Sequence, residues 1–169
     1  MIIVCPLNSV QPLVDEHRVG HVVSLLGPDT PHRSFDGITR ERHLRLTFHD
    51  IVEEVDGFTA PRLSDAEKLV GFLKNWDRGQ PMLIHCWAGI SRSTAAAFTA
   101  MCLFRPHADE EELAWGLRAA SPSATPNRLI VSHTDRLLGR EGRMLRAIEL
   151  IGRGEYAYEG RPFFLNPGV

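Results

Sequence analysis

The stretch PMLIHCWAGISRSTAAAFTA, Pro81 to Ala100, restricts the fold more than any other part of the chain. Met82 to Cys86 is a short apolar run behind Gly79 and Pro81, which reads as a buried strand. The small-residue run from Ala95 to Ala100 reads as a helix, and only one turn's worth of chain separates the two. A strand that turns straight into a helix aims successive backbone N–H groups, and the positive end of the helix dipole, at one small volume. Such a concavity binds phosphate or sulfate.

The remaining elements can be placed around this one. Ile2 to Cys5 and His21 to Leu26 are β-branched, apolar runs that read as buried strands, with a helix around Val10 to Arg18 between them. From Arg42 to His49 the pattern alternates, with Leu44, Leu46 and Phe48 on one face and Arg45 and Thr47 on the other, as in a half-buried strand. Ser64 followed by Glu67 has the form of a capping box, opening a helix that carries Leu69, Val70, Phe72, Leu73 and Trp76 until Gly79 and Pro81 stop it. Asp109 caps a helix with Leu113 and Leu117; Thr125 and Pro126 start another with Leu129, Ile130 and Leu137; Met144 to Ile151 marks the last. Strands crowd the first half and helices the second. The expected fold class is α/β, a small central β-sheet flanked by helices, with the anion-binding loop between a strand and a helix. A length of 169 residues with 43% hydrophobic content suits a single domain over 1–169. Residues 154–169 show no clear period and are expected to pack on the body or on another chain.

With 19 basic against 21 acidic residues and a formal charge of −2, there is no net positive field to hold a nucleic acid or an anionic membrane. No run reaches the roughly 18 apolar residues of a membrane span, and MIIVC lacks the basic flank and length of a signal peptide. No membrane insertion and a cytoplasmic location are expected. Cys5, Cys86 and Cys102 form neither a C-x-x-C nor a Cys/His group, so they read as thiols and no metal or other cofactor is expected. Arg136, Arg140 and Arg143 read as a solvated basic stripe, interrupted by Gly139 and Gly142.

In the turn, Gly89 lets the backbone fold with no Cβ in the way. Arg92 opens the helix and can fork two hydrogen bonds onto a phosphoryl group. Cys86, at the base, feels the positive field that turns a thiol into a thiolate. With 17 arginines and three cysteines, a bare C-x5-R arises by chance about 0.3 times in such a chain. Requiring also the His before, the Gly three after and the Ser following the Arg reduces this to the order of one in ten thousand.

His85-Cys86-x-x-Gly89-x-x-Arg92-Ser93 resembles the H-C-x-x-G-x-x-R-[ST] signature of the cysteine-dependent protein tyrosine phosphatase superfamily. The chain length is similar to that of its dual-specificity branch and of small bacterial members. The resemblance implies a phosphatase-type sandwich and a phosphocysteine mechanism. Cys86 would attack phosphorus, Arg92 hold the phosphoryl oxygens, Ser93 assist breakdown of the intermediate, and His85 orient the loop. Trp87, Ala88, Gly89, Ile90, Ser91 and Arg92 would bind the phosphate. It also implies a general acid at the end of the preceding strand, which Asp50 fits, 36 positions before Cys86; Glu53, Glu54 and Asp56 share that loop, and no W-P-D sequence marks it. Asn127, within SPSATPN, is similar to a residue that supports the phosphate loop, although Thr125 and Pro126 there also suit plain helix initiation.

Other readings stand beside this one. Cys86 alone would suit a buried structural thiol, and His49-Asp50 is the dipeptide of metal-dependent HD phosphohydrolases. A rhodanese-like sulfurtransferase and a non-catalytic phosphate-binding module also place anions in such loops. Trp87, Ala88, Ile90 and Ser91 supply no extra cation for polyanionic inositol lipids, so a phosphorylated protein with phosphotyrosine is the expected substrate, with phosphoserine or phosphothreonine next. Cys5, a strand-end thiol, is a possible disulfide partner for an oxidised Cys86.

Overall fold

The computed structural model describes residues 1–168. The strands are β1 (Ile2–Pro6), β2 (His21–Leu26), β3 (His43–Thr47), β4 (Met82–Cys86) and β5 (Phe163–Leu165). The helices are α1 (Val10–His17), α2 (Leu63–Lys74), α3 (Arg92–Phe104), α4 (Glu110–Ala120), α5 (Arg128–Leu137) and α6 (Arg143–Ile151). One sheet has the order β3-β2-β4-β1-β5, parallel except for β5, which runs antiparallel along β1. This is the α/β arrangement expected from the strand and helix patterns.

Side-chain alternation along the strands divides the core in two. Ile2, Val4, Val23, Leu25, Leu46, Met82, Ile84 and Cys86 join the core shared with α2 to α6. Ile3, Cys5, Val22 and Leu83 face the other way, against Val10, Leu13 and Val14 of α1 and against Phe35. Helix α3 is the central one, buried from Arg92 to Cys102. Its run of alanines is what allows a helix to lie against a sheet with other helices packed around it. No described helix is long and apolar enough to cross a membrane.

Three local expectations are corrected. The capping box at Ser64 and Glu67 does not form: α2 starts at Leu63, and the Asp65 carboxylate accepts the Arg62 N–H at 3.0 Å. That start puts Ala66, Leu69, Val70 and Leu73 on one buried face. Helix α5 is capped by Asn127, not by Thr125, because the Asn127 Oδ1 accepts the N–H groups of Leu129 and Ile130, each at 3.1 Å. The expected cap of α4 does form, with Asp109 accepting from Glu111 and Glu112. The stripe Arg136, Arg140, Arg143 is not a solvated face throughout: Arg140 is buried and donates to Glu110 at 2.8 Å and to the Cys102 carbonyl. The chain between α5 and α6 turns at Gly139 and Gly142, both at positive φ, and this turn brings Arg140 inward. Finally, the tail packs on the body and contributes β5; three residues are too few to show a strand period, and the pairing with β1 is distant in sequence.

Candidate active site

Cys86 ends the central strand β4, residues 87–91 turn, and Arg92 opens α3. Gly89 has φ +73°, and a Cβ there would lie 2.8 Å from the Pro6 nitrogen and 2.9 Å from the Cys5 carbonyl carbon. Only glycine meets both demands. The Leu7 N–H, which donates to the Trp87 carbonyl at 3.1 Å, pins the same edge of the loop to β1.

The Cys86 side chain is almost wholly buried. Its Sγ accepts the Gly89 N–H at 3.2 Å and lies 3.2 Å from the Ser93 Oγ. Arg92 is 7% exposed; one Nη donates to the Phe48 carbonyl at 2.9 Å, and the buried Nε has no hydrogen-bond partner. The nearest carboxylate, on Asp50, is 3.9 Å from that nitrogen.

Of the four acidic residues on the loop after β3, Asp50 is the one in contact with the turn. Its Oδ1 accepts from Ser91 Oγ at 2.7 Å and from Asn127 Nδ2 at 2.8 Å. Glu53, Glu54 and Asp56 instead line a groove beside Arg62 and His133. Asn127 joins the parts: its Nδ2 also donates to the Ile51 carbonyl at 3.1 Å, and its backbone N–H donates to the Ser91 carbonyl at 3.2 Å. It therefore both caps α5 and ties the Asp50 loop to the turn. His49 points elsewhere, with Nδ1 accepting the Thr59 N–H and its ring against Phe58. Among the described residues no group of three His, Cys, Asp or Glu side chains is arranged to hold a metal.

Behind the turn, His85 is fully buried with Nδ1 3.2 Å from the Cys86 carbonyl oxygen. Burial pushes its pKa down to about 4. Cys5 pairs in register with His85 and belongs to the α1-side core, whereas Cys86 belongs to the helical core; burial pushes the Cys5 thiol far up. In front, Trp87 is 41% exposed and packs edge-on against Tyr158, ring centroids 5.5 Å apart. The tail also reaches the turn through the Gly160 N–H, which donates to the Ala88 carbonyl at 2.8 Å. Sequence reasoning missed this tail contact, the Phe48 carbonyl, and two polar residues beside His85, Ser24 and His43. The one available signal was Ser24 itself, a hydroxyl inside the apolar run HVVSLL.

No family model matches the chain, and none of the curated proteins matches it in sequence. Solved structures do match it in shape. The PTP-2 phosphatase of Cydia pomonella is 21% identical with a TM-score of 0.62, covering 80% of this chain and 84% of its own. The human tyrosine phosphatase-like serine/threonine/tyrosine-interacting protein is 17% identical with a TM-score of 0.64, over 83% and 92%. PTPMT1 in complex with PI(5)P is 19% identical with a TM-score of 0.56, over 83% and 94%. Sheet order, strand-turn-helix and these likenesses agree: the chain has the fold of the cysteine-dependent protein tyrosine phosphatases of dual-specificity type.

Proposed function

We propose that the chain is a cysteine-dependent phosphatase that hydrolyses phosphotyrosine in proteins, with phosphoserine and phosphothreonine as secondary substrates. The supporting observation is Arg92, a buried guanidinium whose Nε has no partner, in the same turn as Cys86 Sγ. A buried cationic donor left unsatisfied by the protein calls for an acceptor, and a tetrahedral oxyanion offers two oxygens to its fork.

In this reading Cys86 Sγ attacks phosphorus. The S–P bond forms as the bond from phosphorus to the tyrosyl oxygen breaks, and Asp50 gives its proton to that oxygen. Arg92 and the N–H groups of residues 87–91 stabilise the equatorial oxygens. Asp50 then takes a proton from water, the water oxygen attacks phosphorus, and the S–P bond breaks. Ser93, 3.2 Å from Sγ, donates to the departing sulfur. The sum is phosphoester plus water to phenol plus inorganic phosphate, with no redox step and no metal required.

The substrate class rests on the rim. Trp87, Ala88, Ile90 and Ser91 add no cation for the further phosphates of an inositol lipid, and exposed Trp87 offers an aromatic wall to a phenyl ring. The three free thiols suit a reducing compartment, and the cytoplasm is the proposed location.

The test is phosphate release, in chelator, from phosphotyrosine, phosphoserine and phosphoinositide substrates, with wild type beside Cys86→Ser. Release from phosphotyrosine that vanishes in the variant is the expected result. Release abolished by chelator, or retained by Cys86→Ser, overturns the mechanism; a preference for the phosphoinositide overturns the substrate class. Silence on all three, with tight binding of phosphopeptide, would make the chain a binding module.

A further inference from the structure

Ser24 is 1% exposed on β2, with its Oγ 2.6 Å from His85 Nε2 and 2.7 Å from His43 Nε2. Strand register sets it opposite His85 on β4 and Arg45 on β3. Arg45 Nε donates to His43 Nδ1 at 3.3 Å, and His85 Nδ1 lies 3.2 Å from the Cys86 carbonyl. The Phe35 ring covers both imidazoles, with centroids 5.4 Å from His43 and 5.7 Å from His85. Arg45 is held in place by donating to Ser34 Oγ at 3.2 Å.

The polarity of this chain follows from either end. A carbonyl only accepts, so His85 carries its proton on Nδ1, its Nε2 is a lone pair, and Ser24 must donate to it. The Ser24 oxygen is then free to accept from His43 Nε2–H, which leaves His43 Nδ1 as an acceptor. From the other end, a guanidinium only donates, so Arg45 requires His43 Nδ1 to be an acceptor and Nε2 to carry the proton. The two derivations meet at the Ser24 hydroxyl with the same direction. Both rings must be neutral for this to hold. Burial, helped by the nearby charge of Arg45, brings His43 to about 4, and burial holds His85 to about 4 with His32, Arg33 and Arg92 facing it.

We propose that Ser24, His43 and Arg45 are positioning residues, a one-way hydrogen-bond chain from the protein surface that fixes the His85 tautomer and with it the Cys86 carbonyl from which the phosphate loop departs. The purpose of the chain rests on the phosphatase reading, but its existence is measurable without any substrate.

The first measurement is imidazole 15N NMR of the whole protein. Wild type is expected to show His85 protonated at Nδ1 and His43 at Nε2; His85 protonated at Nε2 overturns the proposal. The second is alkylation of Cys86 at pH 6 together with phosphate release. Ser24→Ala is expected to slow alkylation and to lower kcat by about threefold to tenfold, the worth of one hydrogen bond, with KM unchanged. Ser24→Thr, which keeps the hydroxyl, restores both. Arg45 is exposed, so Arg45→Met carries the same test if Ser24→Ala does not fold; it should let His43 take up the reversed tautomer, and Arg45→Lys should prevent this. Folded Ser24→Ala and Arg45→Met proteins with wild-type tautomers, alkylation and kcat overturn this inference alone. Expected tautomers and alkylation with no phosphate release from any substrate would overturn the phosphatase reading and leave the chain standing.

Discussion

At Gly89 an added methyl would meet the backbone of Cys5 and Pro6, and an L residue would be forced to φ +73°. Gly89→Ala is therefore expected to cost about 2 kcal/mol and to deform the turn. Thermal melts would show the first effect, and phosphate release falling well below what the lost stability explains would show the second. Asp50→Asn keeps the shape of the side chain and its place beside Ser91 and Asn127, but cannot supply a proton. A fall in kcat of about 100-fold with KM little changed is expected. Glu53→Gln and Glu54→Gln, on the other groove, should leave both unchanged, and equal losses there would transfer the role. That Cys86 and Arg92 share one turn was legible in the sequence because local spacing within one strand-turn-helix places them, whereas Asp50 was singled out among the acidic residues of its loop by the family resemblance alone. Ser24 and His43 were not legible, since only the register of three parallel strands brings them to His85.

Asn127 serves two elements, and the two roles can be separated by substitution. Asn127→Ala removes the α5 cap and the tie to Asp50, so a stability loss of about 1 kcal/mol should accompany a lower kcat. Asn127→Asp retains an N-cap acceptor but replaces the donor to Asp50 with a like charge. It should melt near wild type and still lose activity, as paired melting and rate measurements would reveal. At SPSATPN a loop tie and a helix start are not exclusive patterns: Asn127 caps α5 and also bonds Asp50 and the Ser91 carbonyl, while Thr125 sends its N–H to the Ile90 carbonyl. The displaced capping box teaches the same lesson. Ser64 and Glu67 match the pattern, but the helix phase is decided by which residues reach the core, and Ala66, Leu69, Val70 and Leu73 require a start at Leu63.

Across the whole molecule, the buried histidines tie stability to pH. His43 and His85 titrate near 6.5 when unfolded but at about 4 when folded, so between these values the unfolded chain binds more protons. Their contribution is complete above pH 6.5 and drains away as pH falls to about 4, by about 3 kcal/mol for each ring. Denaturant titrations across that window should show the slope, and a folded His43→Gln protein should show about half of it. The sheet was legible from its parallel strands, each an apolar or alternating run, whereas β5 was not, because its partner is the edge of β1 at the other end of the chain. The rim built by that returning tail has an optical consequence. Of the three tryptophans, Trp76 is buried with its indole N–H on the Gln80 carbonyl, and Trp115 lies on α4. Trp87 alone belongs to the turn, half-open and edge-on to Tyr158, so the protein carries its own fluorophore at the place where an oxyanion would bind, and vanadate could be titrated by emission with no label attached.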